Sequence, residues 1–145
     1  METVAELLRH KGSDVVTVLP ETSVFDALKI MERKNIGAVL VVDEDGEVAG
    51  IMTERDYARK VILVGKSSKE TPVAEIMTKR VVYVGPDNSV DEAMALMTEK
   101  RCRHLPVLDG GKVSGMVSIG DVVRAVIHEK NIVIDQLEHY IAGSL

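Results

Sequence analysis

The chain states one pattern twice. Gly50-Ile51-Met52-Thr53-Glu54-Arg55-Asp56 returns as Gly115-Met116-Val117-Ser118-Ile119-Gly120-Asp121, with a glycine, a hydroxyl residue and an aspartate in the same spacing. Upstream the copies keep an offset of 66 through Val16/Val82, Val18/Val84, Pro20/Pro86, Ser23/Ser89, Ala27/Ala93, Met31/Met97 and Val41/Val107. One residue is lost in a turn, and an offset of 65 then holds from Gly50/Gly115 through Arg59/Arg124 to Ile62/Ile127. Shared order and end points mark an internal duplication, which confines the fold to two copies of one supersecondary unit. In 145 residues these are half-size units that share a core, and neither need be stable alone.

The hydrophobic period changes in the same order in both copies. Val16 and Val18, or Val82 and Val84, alternate as a short strand that ends at Pro20 or just before Pro86. Ser23 or Ser89 then caps a helix whose apolar stripe is Val24, Ala27, Leu28 and Met31, or Val90, Ala93, Met94 and Met97. Ser89 with Glu92 reads as a capping box. The branched runs Ala38-Val39-Leu40-Val41-Val42 and His104-Leu105-Pro106-Val107-Leu108 are strands, although Pro106 needs an edge or unpaired position. Turns at Asp43-Glu44-Asp45-Gly46 and Asp109-Gly110-Gly111 lead to a return strand, and a second helix runs from about Thr53 to Val64 or from about Ser118 to Lys130.

Each unit is therefore predicted as β-α-β-β-α, in an α+β pair related by pseudo-twofold symmetry. Related lead-ins, Val4-Ala5-Glu6-Leu7-Leu8 and Val73-Ala74-Glu75-Ile76-Met77, extend each unit upstream. The predicted boundaries are 4–65 and 73–130, joined by the polar segment Gly65 to Pro72, with a helical tail over 131–145 that has no repeat partner.

Composition narrows the function. Hydrophobic residues make up 46% and aromatics 3%, so the core is aliphatic and Met-filled. A net charge of −5 leaves no basic footprint for nucleic acid or an acidic membrane, and any anion bound needs a local basic site. The lone Cys102 excludes an intrachain disulfide and a multi-cysteine zinc site. No apolar run reaches a membrane span and the start carries no signal peptide, so a cytoplasmic protein is expected.

Thr53 and Ser118 stand where a strand gives way to a helix, with hydroxyl and unpaired backbone amides facing one space that suits phosphate. Asp56 and Asp121, three residues on, can accept hydrogen bonds from the cis hydroxyls of a ribose. Gly50 and Gly115 open room for a flat ring against the backbone. The same residues also fit a plain capping box, and spacing alone does not separate the two readings. A cap alone, however, does not ask for the paired glycine three residues earlier.

Cys102 beside His104 raises a thiol nucleophile next to a base, but no orienting third group or oxyanion site accompanies it; His104 as a phosphate donor is simpler. His10, His128 and His139 lack mutual metal spacing. The seven methionines, among them Met31, Met52, Met94, Met97 and Met116, fall at core spacing. Lys29, Glu32, Arg33 and Lys34 make a solvated helix face.

The two Gly-to-Asp segments, with the Arg103-His104-Leu105-Pro106-Val107 run, resemble the ligand motif of cystathionine-β-synthase (CBS) domains, which occur in tandem as a Bateman module. The resemblance covers about residues 4 to 130. It implies adenosine-containing ligands in clefts shared between repeats. One cleft would join Ile51, Thr53, Arg55 and Asp56 to Val82, Arg103 and His104. The other would join Met116, Ser118 and Asp121 to Val16, Ile36 and Gly37, with the first strand's backbone reading adenine. By the same resemblance the aspartates hold ribose, and Thr53 and Ser118 hold phosphate.

The copies are not equivalent. Gly120 replaces Arg55, and Gly37-Ala38 replace Arg103-His104, so positive charge gathers in the first cleft. That cleft is expected to prefer a phosphate-rich ligand and the second a less charged adenosyl group or nothing. Loss of Arg103 should weaken binding roughly tenfold to a hundredfold. The resemblance implies a non-catalytic sensor that binds AMP, ADP, ATP or NAD(H), with S-adenosylmethionine less favoured. It would pair as a homodimer through Leu7, Leu8 and the closing helix and signal to an unidentified protein target. The alternative is a dimeric scaffold with degenerate clefts. An enzyme would need a phosphate loop or an acidic metal cluster, and the sequence offers neither.

Overall fold

The computed structural model describes residues 2–144, with side chains at all of these except 132–134 and 139–144. Thr3 caps α1 (Val4–Lys11) through Oγ1, and Gly12, at φ 103°, ends it. In the first copy β1 (Thr17–Val18) runs parallel to β2 (Ala38–Val42), which pairs antiparallel with β3 (Val48–Thr53). Ser23 caps the intervening α2 (Val24–Lys34), accepting from the Asp26 N–H. After β3 comes the short α3 (Glu54–Tyr57), which widens into a π-helical turn over Ala58–Ile62.

The second copy repeats this with α4 (Val90–Lys100), β4 (His104–Asp109), β5 (Lys112–Ser118) and α5 (Ile119–Ser144). Both hairpins pair a valine with the motif glycine, Val41 with Gly50 and Val107 with Gly115, and both shift register at the next residue. The expected capping box of Ser89 and Glu92 forms in full. Gly110 and Gly111, at φ 59° and 82°, supply the left-handed backbone that the tight β4–β5 turn requires.

Two elements differ from the sequence reading. The expected strand at Val82 and Val84 contracts to a single parallel bridge from Val84 to Val107. Pro106 accepts from Val84 on that side, so β4 is nearly an edge and tolerates the proline. The second copy's last helix does not stop near Lys130 but continues unbroken to Ser144, because no glycine or proline interrupts 121–142.

The lead-ins are exchanged between copies. Val4, Leu7 and Leu8 are buried with Val84, Val90, Ala93, Met97 and Leu105, all of the second copy. Val73 and Ile76 are buried with Val18, Val24, Met31, Val39 and Met52 of the first. The same three backbone bonds tie each crossing. Val4 and Ala5 donate to Asn88 and Pro86 while Val90 donates to Glu2; Val73 and Ala74 donate to Thr22 and Pro20 while Val24 donates to Thr71. Each buried valine, leucine or isoleucine contributes roughly 1.5 to 3 kcal/mol, so neither copy completes its core alone. A third cluster, Ala38, Leu40 and Ile51 with Val81, Val113 and Met116, lies at the seam.

This exchange also explains the motif glycines. A Cβ on Gly50 would lie 2.8 Å from the Thr78 carbonyl oxygen and 2.7 Å from Met77 Sδ. On Gly115 it would lie 2.7 Å from the Leu8 side chain. The sequence reading gave both glycines to an approaching ligand ring. What approaches them is the crossing lead-in.

Candidate functional site

Thr53 closes β3 in extended backbone and its Oγ1 accepts from the Asp56 N–H at 3.1 Å, while Asp56 Oδ2 accepts from the Thr53 N–H at 3.0 Å. Ser118 and Asp121 make the same pair of bonds at 3.1 and 2.8 Å. The capping box is therefore formed in both copies, and it fixes the direction of each carboxylate. Asp56 is buried, and its Oδ1 accepts from Lys60 Nζ at 3.1 Å and Thr78 Oγ1 at 3.4 Å. Asp121 Oδ1 accepts from Arg124 at 2.8 Å, and Oδ2 also accepts from Lys11 Nζ, which in turn reaches the Met116 carbonyl at 2.6 Å.

A cavity of about 880 Å³ opens at the seam in front of Asp56. Ile51, Thr53, Arg55 and Asp56 line it from the first copy, and Val82, Arg103 and His104 from the second. Gly37, expected in the other cleft, lines this one instead, because a Cβ there would sit 3.4 Å from the His104 ring and 3.3 Å from Glu54 Oε1. Of the other residues of the expected second cleft, Ser118 bonds Asp121 directly, whereas Val16 and Ile36 lie elsewhere. Val16 and Ile36 pack on the first copy's core, and the Val16 carbonyl accepts from Leu40 at 3.2 Å. Met116 packs in the seam cluster. Asp121 instead lines a cavity of about 330 Å³ between α1 and α5, bordered by Leu7, His10, Lys11, Arg124 and His128. Neither Met116 nor Ser118 borders it.

Arg59, Arg80, Lys100 and Arg101 also line the large cavity and were not singled out from sequence. Two signals in the sequence bear on three of them. Arg80 matches Lys11 when the lead-ins 4–11 and 73–80 are aligned, and Lys100-Arg101-Cys102-Arg103 is a local basic run. Six cationic side chains, with Arg55 and Arg103, thus face the carboxylates of Glu54 and Asp56 in a chain whose net charge is −5. Among the described residues none of the six has an ion-pair partner within 4 Å. Arg101 holds φ 54°, at the position where the first copy has Asn35, also at 54°. A left-handed arginine costs about 1 to 2 kcal/mol, so strain sits on the cavity wall.

Burial depresses the pKa of His104 below the ordinary imidazole range; Lys11 and Arg103 act the same way, against Asp121 and Glu54. For Asp121, burial acts upward, but the hydrogen bonds from Lys11 and Ser118 outweigh it and hold the carboxyl below its usual range. Burial raises the Cys102 thiol. A neutral thiol ahead of β4 lacks the activation a nucleophile needs. Among the described residues no group of three His, Cys, Asp or Glu is arranged to hold a metal ion, and no helix is long and apolar enough to cross a membrane.

Paired β-α-β-β-α units with exchanged lead-ins, sharing a cleft that neither forms alone, define a tandem-repeat module. The CBS domain profile matches residues 3–63 and 73–128, and the chain belongs to the CBS-domain family as a tandem pair. It is similar to a putative signal-transduction protein with CBS domains from Burkholderia ambifaria, at 58% identity and a TM-score of 0.83 over 87% of this chain and 94% of that one. It is 44% identical, over 97% of its length and 72% of the relative's, to the CBS domain-containing protein CBSX3, mitochondrial, of Arabidopsis thaliana. A CBS domain pair solved in complex with 5′-methylthioadenosine and S-adenosyl-L-methionine shares 28% identity and a TM-score of 0.78 over 89% of this chain and 98% of that one. Proteins built as such pairs are commonly regulatory.

Proposed function

We propose that this chain is a regulatory, non-catalytic module that binds a phosphate-bearing adenine nucleotide in the large seam cavity and passes its occupancy to a protein target. The observation that carries this reading is the cavity itself. It joins the Thr53–Asp56 cap of one copy to Arg80, Arg101, Arg103 and His104 of the other side of the seam. Asp56 takes the ribose hydroxyls in exchange for Lys60 and Thr78, and the cations take the phosphates. Six cations, none with an ion-pair partner among the described residues, favour AMP, ADP, ATP or NAD(H) over S-adenosylmethionine, whose sulfonium is itself positive. The adenosyl ligands of the CBS pair described above support the nucleoside part of the assignment.

Because the walls come from both copies, a ligand that draws them together changes the angle between repeats, and differential affinity for the two arrangements supplies the signal. Exposed Val123, Ile127 and Leu137 on α5 fit a homodimer that relays it in the cytoplasm. The sequence reading also gave Leu7 and Leu8 to that contact, but both are buried in the second copy's core.

The unfolding midpoint, measured against AMP, ATP, NADH, S-adenosylmethionine and GTP at matched excess, tests the reading. A ligand at a hundred times its dissociation constant adds about 2.7 kcal/mol to the folded state. The adenine phosphates are expected to raise the midpoint in the native chain and not in Asp56→Asn. If no ligand raises it once co-purified nucleotide is removed, the dimeric scaffold takes the place of the sensor.

A further inference from the structure

We propose that anion binding in the large cavity is coupled to proton uptake at His104, so that the module reads pH together with its ligand. This rests on the reading of the cavity as a phosphate site. It does not require the anion to be an adenine nucleotide.

The geometry places one imidazole at the meeting point of several elements. His104 opens β4, opposite Ser118 of β5, and its ring lies against Gly37, whose missing side chain leaves the ring its room. Glu54 of α3 reaches the same point: its Oε1 and the ring both lie within 3.4 Å of where a Gly37 Cβ would stand. Lys11 of α1, Asp121 of α5 and the neighbouring Arg103 also act on the ring. Facing the same space are Arg55, Arg59, Arg80, Lys100 and Arg101.

Without a bound anion, burial first and Lys11 and Arg103 next hold the imidazole below its ordinary pKa range. It is half-buried, and the nearby cations outnumber Glu54, Asp56 and Asp121. A phosphate among those cations adds negative charge to the space the ring lines, and so reverses the balance. The imidazole then gains a proton and a second donor, and the complex gains a charge-assisted hydrogen bond. By linkage, a group that binds more tightly to protons in the complex makes the complex tighter as pH falls. The affinity should therefore rise up to tenfold per pH unit over the interval between the two states' pKa values.

Two probes separate the parts of the argument. Inorganic tripolyphosphate and ADP are titrated by calorimetry into the native chain and His104→Gln at pH 6 to 8, each in two buffers of different ionisation heat. The glutamine variant keeps a ring-sized polar side chain and subtracts the protons that the phosphates carry themselves. The expected result is a fractional proton uptake by the native chain with tripolyphosphate, absent in His104→Gln, whose affinity falls at pH 6 and converges with the native value at pH 8. Equal uptake in both chains overturns the proposal, as does a failure of both probes to bind. Tripolyphosphate binding with proton uptake but no ADP binding keeps the proposal and overturns the nucleotide reading.

Discussion

Asp56 and Asp121 occupy equivalent places in the duplication and make the same capping bonds, yet they face different surroundings. The carbonyl of Ile51, ahead of Thr53, accepts from the Thr78 backbone at 2.8 Å. Its counterpart Met116 accepts instead from the Lys11 side chain at 2.6 Å. In the first copy the crossing lead-in thus docks by its backbone, and its last residue, Arg80, is left to line the cavity. In the second, the equivalent Lys11 folds onto Asp121, and Arg124 covers the other oxygen. The comparison teaches that a duplicated cap comes to face an open cavity or a cluster of ion pairs according to what the exchanged segment brings to it. The cap residues themselves are almost unchanged between the copies.

The largest expected effect comes from breaking the exchange. Ile76→Ala should cost about 2 to 5 kcal/mol, read by chemical denaturation. Hydrogen exchange should show α2 and β2 of the first copy opening before the second copy, although Ile76 belongs by sequence to the second. Next, Gly50→Ala should cost about 1 to 3 kcal/mol and Gly115→Ala less than about 1 kcal/mol, seen as unequal falls in the unfolding midpoint. The first meets a backbone oxygen; the second meets the Cδ atoms and Cγ of the Leu8 side chain, which can shift.

The fold was legible because a duplicated pattern fixes the order of elements and the caps at Ser23 and Ser89 fix where helices begin. The exchange was not. Val4-Ala5-Glu6 and Val73-Ala74-Glu75 look alike whether each serves its own copy or the other, since burial depends on pairing that similarity does not encode. The same blindness assigned Gly50 and Gly115 to a ligand and Gly37 to the wrong cleft, because a glycine's vacancy does not say what fills it. Within the large cavity, residues carried by the motif were readable. Arg59, Arg80 and Lys100 were not, since they come from a helix flank, a crossing segment and a helix end that meet only in three dimensions.

Smaller effects sharpen the electrostatic half of the comparison. Arg103→Ala should weaken ADP binding about tenfold at physiological salt, the low end of the sequence expectation, because the side chain is exposed and screened. The loss should shrink further in calorimetric titrations at high salt. Lys11→Met should alter acid stability. Asp121 has a depressed pKa in the folded state, so its contribution is present above about pH 4 and is lost as pH falls through the folded value. Without Lys11 that loss should begin at higher pH, visible in urea midpoints measured between pH 3 and 6.

The most direct test is one calorimetric titration of ADP into three chains: native, Asp56→Asn and Asp121→Asn. We predict one nucleotide per chain in the native protein, binding lost in Asp56→Asn and retained in Asp121→Asn. Retention in Asp56→Asn with loss in Asp121→Asn would contradict the assignment of the seam cavity as the nucleotide site.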